Sequence, residues 1–213
     1  MFVEGLVGSN REGVTDGVHS ILRKGKTGEL ITGDAHGEHY EACSRSNVFT
    51  AATATAGVAH GSLSSGTAGA AVIYNPIASG VNLSLIQASS WYVSGTLGAG
   101  LLLFVASSGI PAVTPGGTAC VARRALISGG AGTPKGTMFS LASGLVGLVT
   151  LRPYCSLLAF AGAAIGSTII IKDQLNGEFV VPPGYCFGIH GITAAGTTPI
   201  MGHSFTWEEI PIS

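Results

Sequence analysis

The densest group of side chains able to do chemistry is Asp34-Ala-His36-Gly-Glu38-His39. A metal needs converging imidazoles and carboxylates. On a strand, His36 and Glu38 share one face while His39 points the other way, and Gly37 weakens any helix that would gather them. These residues read as solvated or interface polar groups. Covalent catalysis has less to work with. No G-x-S-x-G occurs: Gly80–Ser84 reads GVNLS, and Ser89-Ser90 lacks flanking glycines. His60, His190 and His203 are isolated, and the acids after residue 45 are Asp173, Glu178, Glu208 and Glu209. A catalytic histidine needs an orienting carboxylate, and the paired carboxylates of a glycosidase would have to come from the same few acids. Gly95-Thr-Leu-Gly98-Ala-Gly100 runs into a β-type segment without a lysine, and Gly129–Gly136 holds Lys135 without a helix signature. A phosphate cradle requires a glycine-rich turn opening a helix. Cys43, Cys120, Cys155 and Cys186 are far apart, with no C-x-x-C and no zinc spacing, as for small buried apolar residues in a reducing compartment. The expectation is no enzyme, no cofactor and no bound metal.

The elements that must carry these residues are β-strands. Short runs rich in Val, Ile, Thr, Tyr and Phe lie between turn residues. Ala70–Asn75 stops at Asn75-Pro76, and Ser79-Gly80 turns the chain. Val81–Val93 alternates, with Val81, Leu83 and Leu85 on one face, and Gly98–Ala106 is continuously apolar. Further strands are expected in Ser167–Lys172, Gly177–Val181, Tyr185–Ile192 and Gly202–Ile212, with Pro182-Pro183-Gly184-Tyr185 as a corner. Pro111–Gly117 and Gly129–Pro134 read as loops. Eight to ten strands suit an all-β, antiparallel jelly-roll-like β-sandwich. Trp91, Tyr92 and Trp207 are expected in its core.

Composition sharpens this picture. The chain has 213 residues, 33 of them glycine, with 46% hydrophobic and 10% charged residues and a formal net charge of −1. Average proteins carry roughly 25% charge. Residues 1–45 hold 12 of the 21 charges, and residues 46–122 hold none. The expected organisation is an extended charged N-terminal arm, 1–45, and a sandwich, 46–213. A near-neutral body lacks the repulsion that keeps molecules apart, so obligate self-association is expected. A sequence pI of about 6.6 gives no cationic field for nucleic acid. Mean hydropathy is +0.48, yet Leu97–Ala106 is too short to span a bilayer and Leu141–Ile171 is broken by Arg152-Pro153 and four glycines. No membrane partner is expected. The opening MFVEGLVGSN, with its early Glu4, lacks a secretory leader's pattern.

Four strings carry a resemblance: KTGELITGDAHGEHYEACSRSNVFTA at 26–51, YNPIASGVNLSLIQ at 74–87, LNGEFVVPPGYCFGIHG at 175–191 and SFTWEEIPI at 204–212. Together they resemble tailed-bacteriophage virion proteins with a jelly-roll body, of the head decoration or cement type. The resemblance implies a homotrimer on the capsid exterior, made in the host cytoplasm, that clamps neighbouring major capsid subunits. Within it, Arg11, Arg23, Lys24, Lys26 and Glu29 are the candidate capsid-docking residues of the arm. Others of similar fold are tail-fibre or baseplate parts, for which loops Gly109–Gly117 or Gly129–Gly136 would bind a receptor. A cupin-like metal enzyme is the third class. Cupins use His-x-His with a distant third His, and the chain has no His-x-His.

Overall fold

A computed structural model of the chain describes residues 37–59, 69–96, 100–107, 109, 114–127, 133–157, 170–193 and 198–212. The unit Glu41–Ser213 holds the fold. After a one-turn helix, α1 (Tyr40–Ser44), come β1 (Val48–Ala52), β2 (Val58–Ala59), β3 (Gly69–Tyr74), β4 (Val81–Thr96) and β5 (Gly100–Ser107). Then follow β6 (Gly116–Ala119), β7 (Ala122–Arg124), β8 (Thr137–Ser143) and β9 (Leu148–Leu157). The last are β10 (Ile170–Gln174), β11 (Val180–Val181), β12 (Cys186–Thr193) and β13 (Thr198–Pro211).

The strands form two antiparallel sheets. One has the order β10-β4-β13-β1-β7, with β11 on β4 and β2 on β13; the other runs β6-β8-β3-β12-β5-β9. Take β1, β3, β4, β5, β9, β10, β12 and β13 as eight principal strands. The first sheet then places them sixth, third, eighth, first, and the second places them second, seventh, fourth, fifth. This nesting of two Greek keys is the jelly-roll arrangement. The chain is thus an all-β sandwich, as its turn-punctuated apolar runs imply, with β6, β7 and β8 inserted between the fourth and fifth principal strands.

Local chemistry explains the corners. The amide of Tyr185 donates to the Pro182 carbonyl at 3.2 Å, and Gly184 has φ 87°. Proline at the second position and a left-handed glycine at the third define a type II turn. Asn75, fully buried, ties this corner to the start of β4. Its Nδ2 donates to the carbonyls of Val81 at 2.7 Å and Val181 at 2.9 Å, and its own carbonyl accepts from the Gly184 amide. The segments around YNPIASGVN and VVPPGY therefore meet at one side chain.

The core lies between the sheets. Leu83, Leu85 and Ala88 of β4 and Phe205 and Trp207 of β13 face Ile73, Phe104, Phe187 and Ile189 of the opposite sheet. Phe104, Phe179, Phe187 and Phe205 form a continuous aromatic row with centroid separations of 5.0 to 6.0 Å. Such pairs add about 0.5–1.5 kcal/mol each beyond burial. Because side chains alternate along a strand, Val72, Tyr74, Phe139 and Cys186 point to the other face of the six-stranded sheet. There they form a second cluster with Ala142 and Leu145.

Three features differ from the sequence reading. The described residues contain thirteen strands, because β2, β6, β7 and β11 are only two to four residues long. Strand β9 crosses Arg152-Pro153, which reads as a break. It is an edge strand, where a missing N–H costs no ladder bond, and register shifts on β5 accommodate extra residues on either side of Pro153. In β4 the alternation holds as far as Leu85. An irregularity opposite Thr206/Trp207 then inserts Ile86, and the buried positions become Ala88 and Ser90.

Candidate functional site

Arg11, Arg23, Lys24, Lys26 and Glu29 lie outside the described residues, as do Asp34, His36 and His60. Glu38 is exposed, one turn before α1. Among the described residues no three His, Cys, Asp or Glu side chains converge to hold a metal. No helix among them is long and apolar enough to cross a membrane. Of the receptor-loop candidates, 110–113 and 129–132 lie outside the described residues, and Gly116 and Gly117, read as the end of a loop, instead open strand β6. The segment after Gly100 is strand β5, so the glycines at 95–100 do not open a helix.

Three polar arrangements hold the chain's sparse chemistry. The first is a serine–histidine pair. Ser90 of β4 and His203 of β13 sit directly opposite in register, and Ser90 Oγ lies 2.8 Å from His203 Nδ1. Thr53 adds two bonds, accepting from the His203 amide at 3.0 Å and donating its own amide to the His203 carbonyl at 2.9 Å. Both partners of the pair are fully buried. A nucleophile must meet its substrate, and this hydroxyl meets only strands. The pair joins β4 to β13 as a cross-strand bridge.

The second arrangement is Glu209. Its Oε1 accepts from the amides of Lys135 and Gly136 at 2.8 and 2.9 Å and from the Trp207 indole N–H at 3.3 Å. A buried carboxylate is tolerable only when so satisfied. It fastens the start of β8 to the end of β13, and a Cβ at Gly136 would press on Leu83.

The third lies where β9 and β10 form the open side of the sandwich. Arg152 Nη2 contacts Asp173 Oδ2 at 3.0 Å and Glu178 Oε2 at 2.9 Å. Its guanidinium stacks 5.0 Å from Phe104 and 5.6 Å from Phe179. The two carboxylates, Glu178 foremost, raise the arginine's pKa. Beside it Tyr154 stacks on Phe104 at 4.5 Å and points its hydroxyl toward the Ile171 carbonyl at 3.1 Å; burial pushes this phenol up to about 12. One charged residue of each sheet edge thus closes the sandwich across the aromatic row.

Sequence reasoning missed the serine–histidine pair, since Ser90 and His203 are 113 residues apart. The Arg152 clamp had a visible signal: a lone cation inside an apolar stretch, in a body with few acids. Trp207 is fully buried in the core as expected. Trp91 and Tyr92 are only half-buried, and Trp91 lies over Gly202, where any Cβ would overlap the indole. The four cysteines are thiols, Cys186 buried and the others partly so, and burial raises the pKa of each.

The surface carries large apolar side chains in place of charge. On the β6–β7 side, Val121 is 66% and Ile127 96% exposed. On the β9–β11 side, Ile170 is 67% and Val180 52% exposed. Comparison of the chain with protein-family models, curated proteins and solved structures finds no match.

Proposed function

We propose that this chain is a structural virion protein of the head decoration or cement type. Its sandwich bodies associate, as a trimer, and its charged arm docks on the major capsid protein at the capsid exterior. One observation carries the reading: the 77 residues 46–122 bear no formal charge, and the body they belong to exposes isoleucine and valine at its sides. Exposed large apolar side chains on a body so poor in charge support contact with other protein. More than half the charges sit in the arm, the natural place for a separate polar contact. Several weak contacts made at once by one oligomer give tight attachment without a single strong site.

The test uses capsids lacking the protein. Replacing Arg11, Arg23, Lys24 and Lys26 by serine in the full chain is expected to weaken co-sedimentation with capsids at least tenfold while the oligomer persists. Binding equal to the wild type would remove the arm from the interface. Quantifying the chain in intact particles tests the tail-fibre reading: near-stoichiometry with the capsid protein supports decoration, and a few copies per particle support a fibre or baseplate part.

A further inference from the structure

Asn176-Gly177 stands apart among the chain's five asparagines. Asn10, Asn47 and Asn82 precede Arg, Val and Leu, and Asn75 precedes a proline, which has no amide proton. At 176 alone the next backbone nitrogen belongs to a residue without a side chain to hinder it. Once that nitrogen loses its proton to solvent, it can attack the neighbouring side-chain carbon Cγ if the two are brought together. The bond from Cγ to the side-chain amide nitrogen then breaks, ammonia leaves, and a succinimide ring closes. Water opens the ring at either carbonyl. One opening gives aspartate, and the other gives isoaspartate, whose main chain runs through Cβ and Cγ.

The fold both requires this labile pair and restrains it. Asn176 and Gly177 have φ 44° and 84°, and the Glu178 amide donates to the Leu175 carbonyl at 2.7 Å. That is a type I′ turn, for which Asn-Gly is a favoured sequence. The turn is docked on β4 where its register is irregular. The amides of Leu175 and Asn176 both donate to the Ile86 carbonyl, at 2.8 and 3.0 Å, and the Gly177 amide donates to the Leu85 carbonyl at 2.8 Å. Leu175 anchors the turn in the core. Asn176 is exposed to water, but the nitrogen that must attack its side chain is held as a donor to β4. The reaction waits for the turn to lift, an opening that segments of low local stability undergo without global unfolding.

We propose that Asn176 is a site of spontaneous deamidation, held shut by docking of its turn on β4, and that isoaspartate there prevents the turn from docking. Aspartate tolerates a left-handed backbone and leaves the spacing of the three amides unchanged. Isoaspartate inserts one more carbon between the amides of residues 176 and 177, which must reach adjacent carbonyls of β4. A chain that ages before folding is thereby kept from completing this edge, whatever its partner.

The experiment uses the full chain in mildly alkaline buffer, native or in guanidinium chloride. Mass spectrometry and labelling by an isoaspartyl methyltransferase read residue 176. The native rate is expected to be at least tenfold below the denatured one. Equal rates, or no modification in denaturant, would overturn the proposal. Two matched deletions locate the gate. Leu175→Val is expected to speed native deamidation severalfold, and Ile73→Val, in the opposite sheet, to leave it unchanged; equal rates in the two variants would assign protection to the fold as a whole and overturn the local gate. Chains aged in denaturant are then returned to buffer, and the folded fraction is isolated by size exclusion. Isoaspartate is expected to be depleted at least tenfold in that fraction, while Asn176→Asp folds as the wild type does. Undepleted isoaspartate would overturn the block to docking, and an unfolded Asn176→Asp would overturn its backbone cause in favour of charge.

Discussion

The two sheets solve different problems with the same strand geometry. In the seven-stranded sheet one face meets the core and much of the other meets water, although Ala88–Ser90 and Met201–His203 are buried in succession. β10 shows this in five residues, with Ile171 and Asp173 turned inward and Ile170, Lys172 and Gln174 outward. At the centre of the six-stranded sheet both faces are withdrawn from water: β3 is buried at every position, and in β5 Leu102, Leu103, Phe104 and Val105 are buried in succession, whereas the edge strands β6 and β9 keep exposed side chains. Alternation marks a half-solvated sheet and a continuous apolar run marks a sheet covered twice. The contrast is between a sheet covered twice at its centre and one whose outer face is partly wet.

The sharpest way to break that contrast is a charge on each outer face. Val72→Asp, on the second face of the six-stranded sheet, is expected to prevent folding, since an unpaired buried charge cannot be accommodated. Gln174→Asp, on the outward face of the seven-stranded sheet, is expected to change unfolding free energy by less than about 0.5 kcal/mol. Urea titrations of both variants, followed by tryptophan fluorescence, check this pair, and a folded Val72→Asp protein would show that the second face is wet.

Next in size is the fastening between the sheets. Glu209→Gln keeps the shape of the side chain but replaces a charged acceptor of three N–H groups with a neutral one. The expected loss is about 2 kcal/mol, read as a lowered midpoint of denaturation at neutral pH.

A smaller effect separates the two buried histidines. His203 is bonded to Ser90, while both ring nitrogens of His190 lack a hydrogen-bond partner among the described residues. Burial lowers the pKa of His190 below the ordinary 6.5. The folded protein therefore resists the proton that the unfolded chain accepts. Stability from this group is complete above pH 6.5 and falls as the pH drops toward the folded-state value, by at most about 1.4 kcal/mol per pH unit. His190→Leu is expected to lose less stability between pH 7.5 and 5.5 than the wild type. Equal slopes would assign the acid response to other groups.

The smallest effect belongs to the clamp at the open side. Arg152, Asp173 and Glu178 are all partly exposed, so solvent screens the pair. Arg152→Met is expected to cost about 1 kcal/mol or less at low salt. The difference should shrink in concentrated salt, with any remainder from lost stacking on Phe104 and Phe179.

Legibility in the sequence followed the same division. Strands bounded by Gly and Pro, such as β3 and β12, and the Pro182–Tyr185 turn could be read because their signals are local. β8 and β9 could not, since Ser, Gly and Pro depress β propensity and edge position and bulges are tertiary facts. The Ser90–His203 and Arg152–Asp173–Glu178 groups depend on which strands become neighbours, and spacing along the chain carries no trace of that. The nested strand order was visible only as a fold class. The arm residues Arg11, Arg23, Lys24, Lys26 and Glu29 rest on charge distribution and resemblance alone.

The position of β13 has a consequence in time. It lies at the centre of the first sheet, between β1 and β4, and Thr50 Oγ1 reaches the Phe205 carbonyl across 155 residues. On the ribosome, β1 and β4 must wait for Thr198–Pro211 to emerge before either gains its main partner. Contacts so distant in sequence fold slowly, and until then the edge of β1 and of β4 that faces β13 is unpaired. Slower translation before residue 198 should therefore lengthen the time for which those edges stay unpaired.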